Sequence, residues 1–179
     1  MTILFQQEEK PEFQHMLLIQ IRMFLASTSN ISVANWDTNG DGELSYAEAA
    51  AVTDLGTYFK GNSTIESFDE LQYFTSLTTL PNTAFMNCTS LASVSLPSSI
   101  ESLGNGAFLN CNGLDSLTVF AETPPSVGAQ SFVNVSNTIP VYIPCDSYDA
   151  YQSASCVPNK ACVLAGADKK SLHFFACSF

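Results

Sequence analysis

Asn82-Thr-Ala-Phe85-Met-Asn87-Cys88 is followed 23 residues later by Asn105-Gly-Ala-Phe108-Leu-Asn110-Cys111. A third version, Ala129-Gln-Ser-Phe132-Val-Asn134-Val135, comes 24 residues after that. The agreement continues on both sides of the aromatic. Leu91, Val94 and Leu96 match Leu114, Leu117 and Val119, and Val141 and Ile143 hold the last two places one repeat further on. Leu80, Leu103 and Val127 each stand five residues before a Phe. Phe74-Thr-Ser-Leu77-Thr-Thr-Leu80 reads as a degenerate first copy. Val94-Ser-Leu96, Leu117-Thr-Val119 and Val141-Tyr-Ile143 alternate with period two, so each predicts a short strand. Pro97 and Pro144 end two of them at the same repeat position, because proline cannot donate to a ladder.

A period of 23–24 residues lies in the leucine-rich-repeat range, with one short strand and a return segment per coil. One coil cannot bury its Leu, Val and Phe; stacked coils can, and the ends of the stack need caps. The predicted fold is α+β: a short leucine-rich-repeat solenoid of three to four coils behind an N-terminal helical cap. A β-sandwich with coincidental Phe spacing is the alternative, and it leaves the matched Asn, Cys and Leu columns without a cause. Cys88, Cys111 and Val135 share one column, which marks a small apolar core position rather than a disulfide or metal ligand. The adjacent Asn87, Asn110 and Asn134 are expected to hydrogen-bond the turn backbone of each coil. The chain has six Cys and two His with no Cys-x-x-Cys pair, a pattern that disfavours a structural zinc site.

Ahead of the repeats, Asp37-Thr-Asn39-Gly-Asp41-Gly42-Glu43-Leu44-Ser45-Tyr-Ala-Glu48 fits the EF-hand loop pattern at each defining position. Asp37, Asn39 and Asp41 supply side-chain oxygens at loop positions 1, 3 and 5, and Gly42 permits the sharp turn. Glu43 offers its backbone carbonyl, Ser45 acts directly or through water, and Glu48 closes the set with two carboxylate oxygens. A hard cation needing six to eight oxygens explains this crowding, and Ca2+ suits it better than the stricter octahedral Mg2+. Residues 45–55 are rich in helix formers and predict an exiting helix; the entering segment, residues 30–36, is short. No second loop follows, so the flanks are expected to pack on the first repeat through Leu55, Tyr58, Phe59 and Ile65, with Trp36 in the core.

Six basic residues face seventeen acidic ones, for a net charge of −11. That balance argues against nucleic acid and anionic lipid, which both need cationic neutralisation. No apolar stretch of about 20 residues predicts membrane insertion. The chain divides into a leader of uncertain structure (1–26), the calcium-loop cap (27–60), the solenoid (61–144) and an irregular tail (145–179). P-loop, Gly-x-Ser-x-Gly and His-Glu-x-x-His motifs are missing, and His173 with Cys177 lacks a third catalytic partner. Asp69 and Glu70 are read as charge complementing a helix N-terminus. Ser93, Ser95, Ser116, Thr118 and Tyr142 are the expected exposed residues of the strand face.

Leu96-Pro97-Ser-Ser-Ile100-Glu-Ser-Leu103, with Ala-Phe108-Leu-Asn-Cys111-Asn-Gly-Leu114 after it, resembles the BspA-type leucine-rich repeat of bacterial surface proteins. Residues 36–80, including Phe68-Asp-Glu-Leu71-Gln-Tyr-Phe74, are similar to the EF-hand-like cap found ahead of such repeats in Bacteroidetes-like proteins. The resemblance implies a secreted or cell-surface protein that binds a host or matrix protein or a glycan and carries no enzyme activity. The alternative it leaves is a structural spacer or repeat fragment of a larger adhesin. The leader, residues 1–26, and the residues beyond about 156 do not share the resemblance, which suggests a truncated or frame-altered gene product or a boundary error.

Overall fold

A computed structural model describes residues 35–42 and 44–154, with the backbone of 162–164. The leader, most of the tail, residues 30–34 of the entering segment and Glu43 lie outside the described residues. In chain order come α1 (Tyr46–Ala51), β1 (Ser67–Phe68), a 3-10 helix (Asp69–Tyr73), β2 (Thr79–Leu80), β3 (Ser93–Leu96), β4 (Ser102–Leu103), β5 (Ser116–Val119), β6 (Ser126–Val127) and β7 (Val141–Ile143). A second 3-10 helix (Cys145–Ser147), α2 (Tyr148–Ser153) and β8 (Cys162–Leu164) follow.

The strands form two parallel sheets, ordered β1-β3-β5-β7-β8 and β2-β4-β6. This is a solenoid of about three coils, as the repeat predicts. The register is the one that the columns dictate: Val94 pairs with Leu117, and Leu117 with Val141. On the second sheet Leu80 pairs with Leu103, and Leu103 with Val127. A slip of one residue would turn each inward side chain to solvent, so burial fixes the alignment.

The third side of each coil carries the Phe turn. Thr83, Phe85 and Asn87 donate their N–H groups to the carbonyls of Asn105, Ala107 and Leu109 at 2.8–2.9 Å. Gly106, Phe108 and Asn110 repeat this toward Ala129, Ser131 and Val133, each at 2.9 Å. The geometry needs left-handed backbone at Asn87, Asn110 and Asn134 (φ 65, 63 and 62°), which asparagine tolerates better than most residues. Their side chains do not cap the turn backbone as expected. They bond one another between coils, Asn110 Nδ2 to Asn87 Oδ1 and Asn134 Nδ2 to Asn110 Oδ1, both at 2.7 Å. Asn82 and Asn105 instead accept backbone N–H groups from the next coil, at 2.7 and 2.8 Å.

The Phe rings pile up at 5.3–5.4 Å between centroids, from Phe59 through Phe85 and Phe108 to Phe132. Phe59, read from sequence as part of the cap, therefore heads the column. Gly61 takes the asparagine place with φ 75° and donates to Met86 O at 2.7 Å. Phe74 lies off the column, edge-on to Trp36 and Phe68. Leu77 and Leu80 are both fully buried, at the places later held by Ile100 and Leu103. Cys88 and Cys111 are free, buried thiols, donating to Phe59 O (2.9 Å) and Phe85 O (3.0 Å). Burial pushes them up to about 11 and about 12, so they remain neutral core residues.

Residues 145–153, expected to be irregular, are helical. Six residues of α2 are too few to show a helical period. Tyr151 nevertheless plugs the end of the solenoid beside Val119, Val127 and Phe132, its hydroxyl bonded to Ala121 O at 2.8 Å.

Coil spacing also depends on Gly104. A Cβ there would stand 2.5 Å from Asn82 N and 2.6 Å from Pro81 C, both backbone atoms of the preceding coil. Gly104→Ala must therefore push two coils apart. We expect a loss of about 1–3 kcal/mol, read from the urea midpoint at an unchanged m-value.

Candidate functional site

The acidic turn begins where Trp36 leaves the core and ends on α1. Ser45 is the N-cap of α1 and forms a capping box with Glu48: Ser45 Oγ accepts from Glu48 N at 3.2 Å, while Glu48 accepts from Ser45 N at 2.9 Å. The helix is shorter than residues 45–55 predict, ending at Ala51. Val52 and Thr53 are β-branched and weak in helices, and Val52 and Leu55 are buried instead.

Glu48 gathers the turn from inside. Its Oε1 accepts from Thr38 N (2.7 Å), Thr38 Oγ1 (3.0 Å) and Asn39 N (3.2 Å). Its Oε2 accepts from Ser45 N and from Ser45 Oγ at 2.8 Å. These donors, those from Ser45 foremost, lower its carboxyl to about 2, so Glu48 is an anion at neutral and mildly acidic pH. Asp37 is similarly engaged, Oδ1 accepting from Gly40 N (2.7 Å) and Oδ2 from Gly42 N (2.8 Å). Asn39 Oδ1 accepts from Asp41 N at 2.9 Å, and its Nδ2 donates to Asp41 Oδ2 at 2.9 Å. Gly40 and Gly42 both have left-handed φ, 75 and 79°, which is what the sharp turn requires of them. Leu44 is buried beneath the loop.

Asp37, Asn39, Asp41, Ser45 and Glu48 thus share one hydrogen-bonded turn, while Glu43 lies outside the described residues. The donor set is entirely oxygen, as a calcium site demands. Its oxygens, however, face donors of the turn itself. Among the described residues no three His, Cys, Asp or Glu side chains are grouped as a metal site. An ion would have to exchange with the hydrogen bonds that now occupy Glu48.

The strand face differs from expectation. The first 3-10 helix lies across β3, and Asp69 accepts from Ser93 Oγ and Ser95 Oγ, both at 2.9 Å. Ser95 is buried and Ser93 half-buried; neither is an exposed candidate. Asp69 ties down strand hydroxyls as well as standing in the first turn of its helix. The neighbouring Glu70 carboxyl is raised chiefly by burial. Ser116, Thr118 and Tyr142 on β5 and β7 remain partly exposed.

A family model described as the BspA type leucine rich repeat region (6 copies) matches residues 56–156. The chain belongs to the BspA-type leucine-rich-repeat family. No curated protein and no solved structure matches it. The BspA-type match opens at Gly56, just before Phe59 begins the ring stack, and the acidic turn lies ahead of it. In this family setting the sheets and turns are a scaffold, and function rests on what their outer surfaces present.

Phe59 packs on the first repeat as the sequence predicts, but its place at the head of the ring stack, the strand contacts of Asp69 and the plug formed by Tyr151 do not follow from the sequence. Thr57-Tyr-Phe59-Lys-Gly61 repeats the spacing from Phe to a left-handed residue, but its offset of 26 residues from Phe85 breaks the period. Nothing local marks Asp69 as the partner of serines more than twenty positions away. Among the described residues no helix is long and apolar enough to cross a membrane.

Proposed function

We propose that the chain is a calcium-stabilised leucine-rich-repeat module of a secreted or cell-surface bacterial protein, whose solenoid binds a host or matrix protein or a glycan. The BspA-type repeat over residues 56–156 carries the partner-binding part. The all-oxygen turn attached through Trp36 to Phe59 supports the calcium part. Asp37, Asn39 and Asp41 would offer side-chain oxygens, Glu43 its carbonyl, Ser45 its hydroxyl directly or through water, and Glu48 its carboxylate. Bound calcium would supply a fixed charge that holds the turn closed; it would stabilise the folded state by mass action.

Calorimetry with Ca2+ and melts with and without EDTA test this. At a hundredfold excess over its Kd, calcium should add about 2.7 kcal/mol. Asp37→Ala should abolish both the heat and the melting shift. Glu48→Ala should do so too, and should also lower stability in EDTA, because its five hydrogen bonds hold the turn without an ion. A wild-type protein that gives no heat and no shift rules calcium out.

A second reading, a structural spacer without a ligand of its own, is favoured by the 3-10 helix that covers β3. Arrays of matrix proteins and glycans separate the two: specific capture, reduced by Tyr142→Ala, supports the binding module, and its absence in a folded protein supports the spacer.

A further inference from the structure

At an Asn-Gly pair the main chain can attack the neighbouring side chain, because glycine has no Cβ to obstruct the approach. This chain has three such pairs: Asn39-Gly40, Asn105-Gly106 and Asn112-Gly113. The fold treats them unequally. At the first, Gly40 N–H donates to Asp37 Oδ1 at 2.7 Å, and both ends of the Asn39 amide are bonded to Asp41 at 2.9 Å. At the second, Gly106 N–H donates to Ala129 O at 2.9 Å, and Asn105 Oδ1 accepts from Ala129 N at 2.8 Å. In both pairs the attacking nitrogen and the amide under attack are tied to other groups.

Asn112 and Gly113 have neither restraint. They are the centre of a turn closed by one bond, Leu114 N to Cys111 O at 3.1 Å. Asn112 is exposed. Among the described residues, neither its side chain nor the Gly113 N–H has a hydrogen-bond partner. Glycine is required at 113, since a Cβ there would stand 2.4 Å from Thr89 O of the preceding coil. The contact between coils therefore fixes one half of the labile pair.

We propose that Asn112 is a self-modification site of the folded chain, converted to aspartate and isoaspartate while Asn39 and Asn105 are spared. The Gly113 main-chain nitrogen gives its proton to a solvent base and bonds to Asn112 Cγ, an attack between groups already held side by side. The Cγ–Nδ2 bond breaks and ammonia leaves, which closes a succinimide ring. Water, the one co-reactant, then opens the ring. If the new bond from nitrogen to Cγ breaks, an ordinary aspartate results. If the bond from nitrogen to the Asn112 main-chain carbonyl carbon breaks, the chain runs through Cβ and Cγ as isoaspartate. Either product adds a negative charge to the net −11. Isoaspartate also lengthens the main chain by a methylene, in the turn that rests on Thr89 and delivers the buried Leu114 to the core.

The test incubates the whole chain at mildly alkaline pH, folded and in urea. Peptide mapping by mass spectrometry follows each asparagine, and an isoaspartyl methyltransferase labels isoaspartate. In the folded chain Asn112 should convert about tenfold or more faster than Asn39 and Asn105, where hydrogen bonds must open before attack. In urea the three rates should come together, because each asparagine then has the same glycine neighbour and no fixed partner. Asn112→Gln, at an exposed position, should keep the wild-type melt and lose most of the label from the folded chain. The proposal is overturned if Asn39 or Asn105 converts as fast as Asn112 in the folded chain, or if Asn112 converts only in urea. It is also overturned if the lead of Asn112 persists in urea, which would trace it to local sequence rather than to the fold, or if folded Asn112→Gln keeps the wild-type level of label.

Discussion

Phe108→Ala should cost about 3–5 kcal/mol, a large share of the stability of a domain whose whole margin is about 5–15 kcal/mol. Phe108 is fully buried. Its ring lies 5.4 Å from Phe85 with planes 5° apart, and 5.3 Å from Phe132 at 16°. Truncation leaves a void that faces both neighbours, so two coil interfaces weaken at once. A short repeat array is sensitive to this because its stability is close to a sum of coil and nearest-neighbour contributions. Urea unfolding followed by circular dichroism should show a transition shifted far toward zero denaturant, or none. Phe120→Ala is the companion measurement. Phe120 is 40% exposed, and its loss should fall within about 0.5 kcal/mol of wild type. A Phe108→Ala protein as stable as the Phe120→Ala protein would mean that the stack does not hold the solenoid together.

The Phe column was legible from sequence because a stacked ring must recur at each coil, and recurrence is visible without coordinates. The same holds for Leu80, Leu103 and Val127, although their share of a separate sheet was not foreseen: strands of two residues carry no alternation to detect. Asn87, Asn110 and Asn134 were found as a column and given the wrong partners. Sequence shows that three asparagines are equivalent, but whether each bonds its own turn or the next asparagine depends on the spacing between coils. Ser93 and Ser95 failed for a related reason. Their alternation with Val94 and Leu96 points them outward, but outward is not exposed here, because the 3-10 helix places Asp69 over both. At the acidic turn, residue types announced an oxygen-rich loop, and Gly40 and Gly42 take the backbone such a loop needs. The pattern did not reveal that Glu48 satisfies five donors within the turn, because a capping box and a position-12 ligand ask for the same residue at the same place.

Trp36→Ala should loosen the turn's hold on the solenoid. Trp36 is the residue immediately before Asp37 and is 9% exposed. Its ring meets Phe74 at 5.6 Å and Tyr58 at 5.8 Å, both edge-on, and Phe59 at 6.3 Å in a tilted arrangement. It therefore sits against the first ring of the Phe stack. Loss of the indole should cost about 3 kcal/mol, and edge-on pairs contribute about 0.5–1.5 kcal/mol each beyond buried area. Trp36→Phe keeps an aromatic in the gap and should recover most of that. The chain has one tryptophan, so its fluorescence in the wild type reports this contact alone, and its unfolding midpoint should coincide with that from circular dichroism if the turn and the coils unfold together. In Trp36→Ala the turn keeps its own hydrogen bonds to Glu48 and Asp37 and a weaker hold on the repeats through buried Leu44 and the edge-on Tyr46–Tyr73 pair. Any calcium heat should then persist while the calcium-dependent rise in melting temperature shrinks, since an ion stabilises the solenoid only through a turn that is fastened to it. A full melting shift in Trp36→Ala would show that the turn is coupled to the repeats by some route other than this ring.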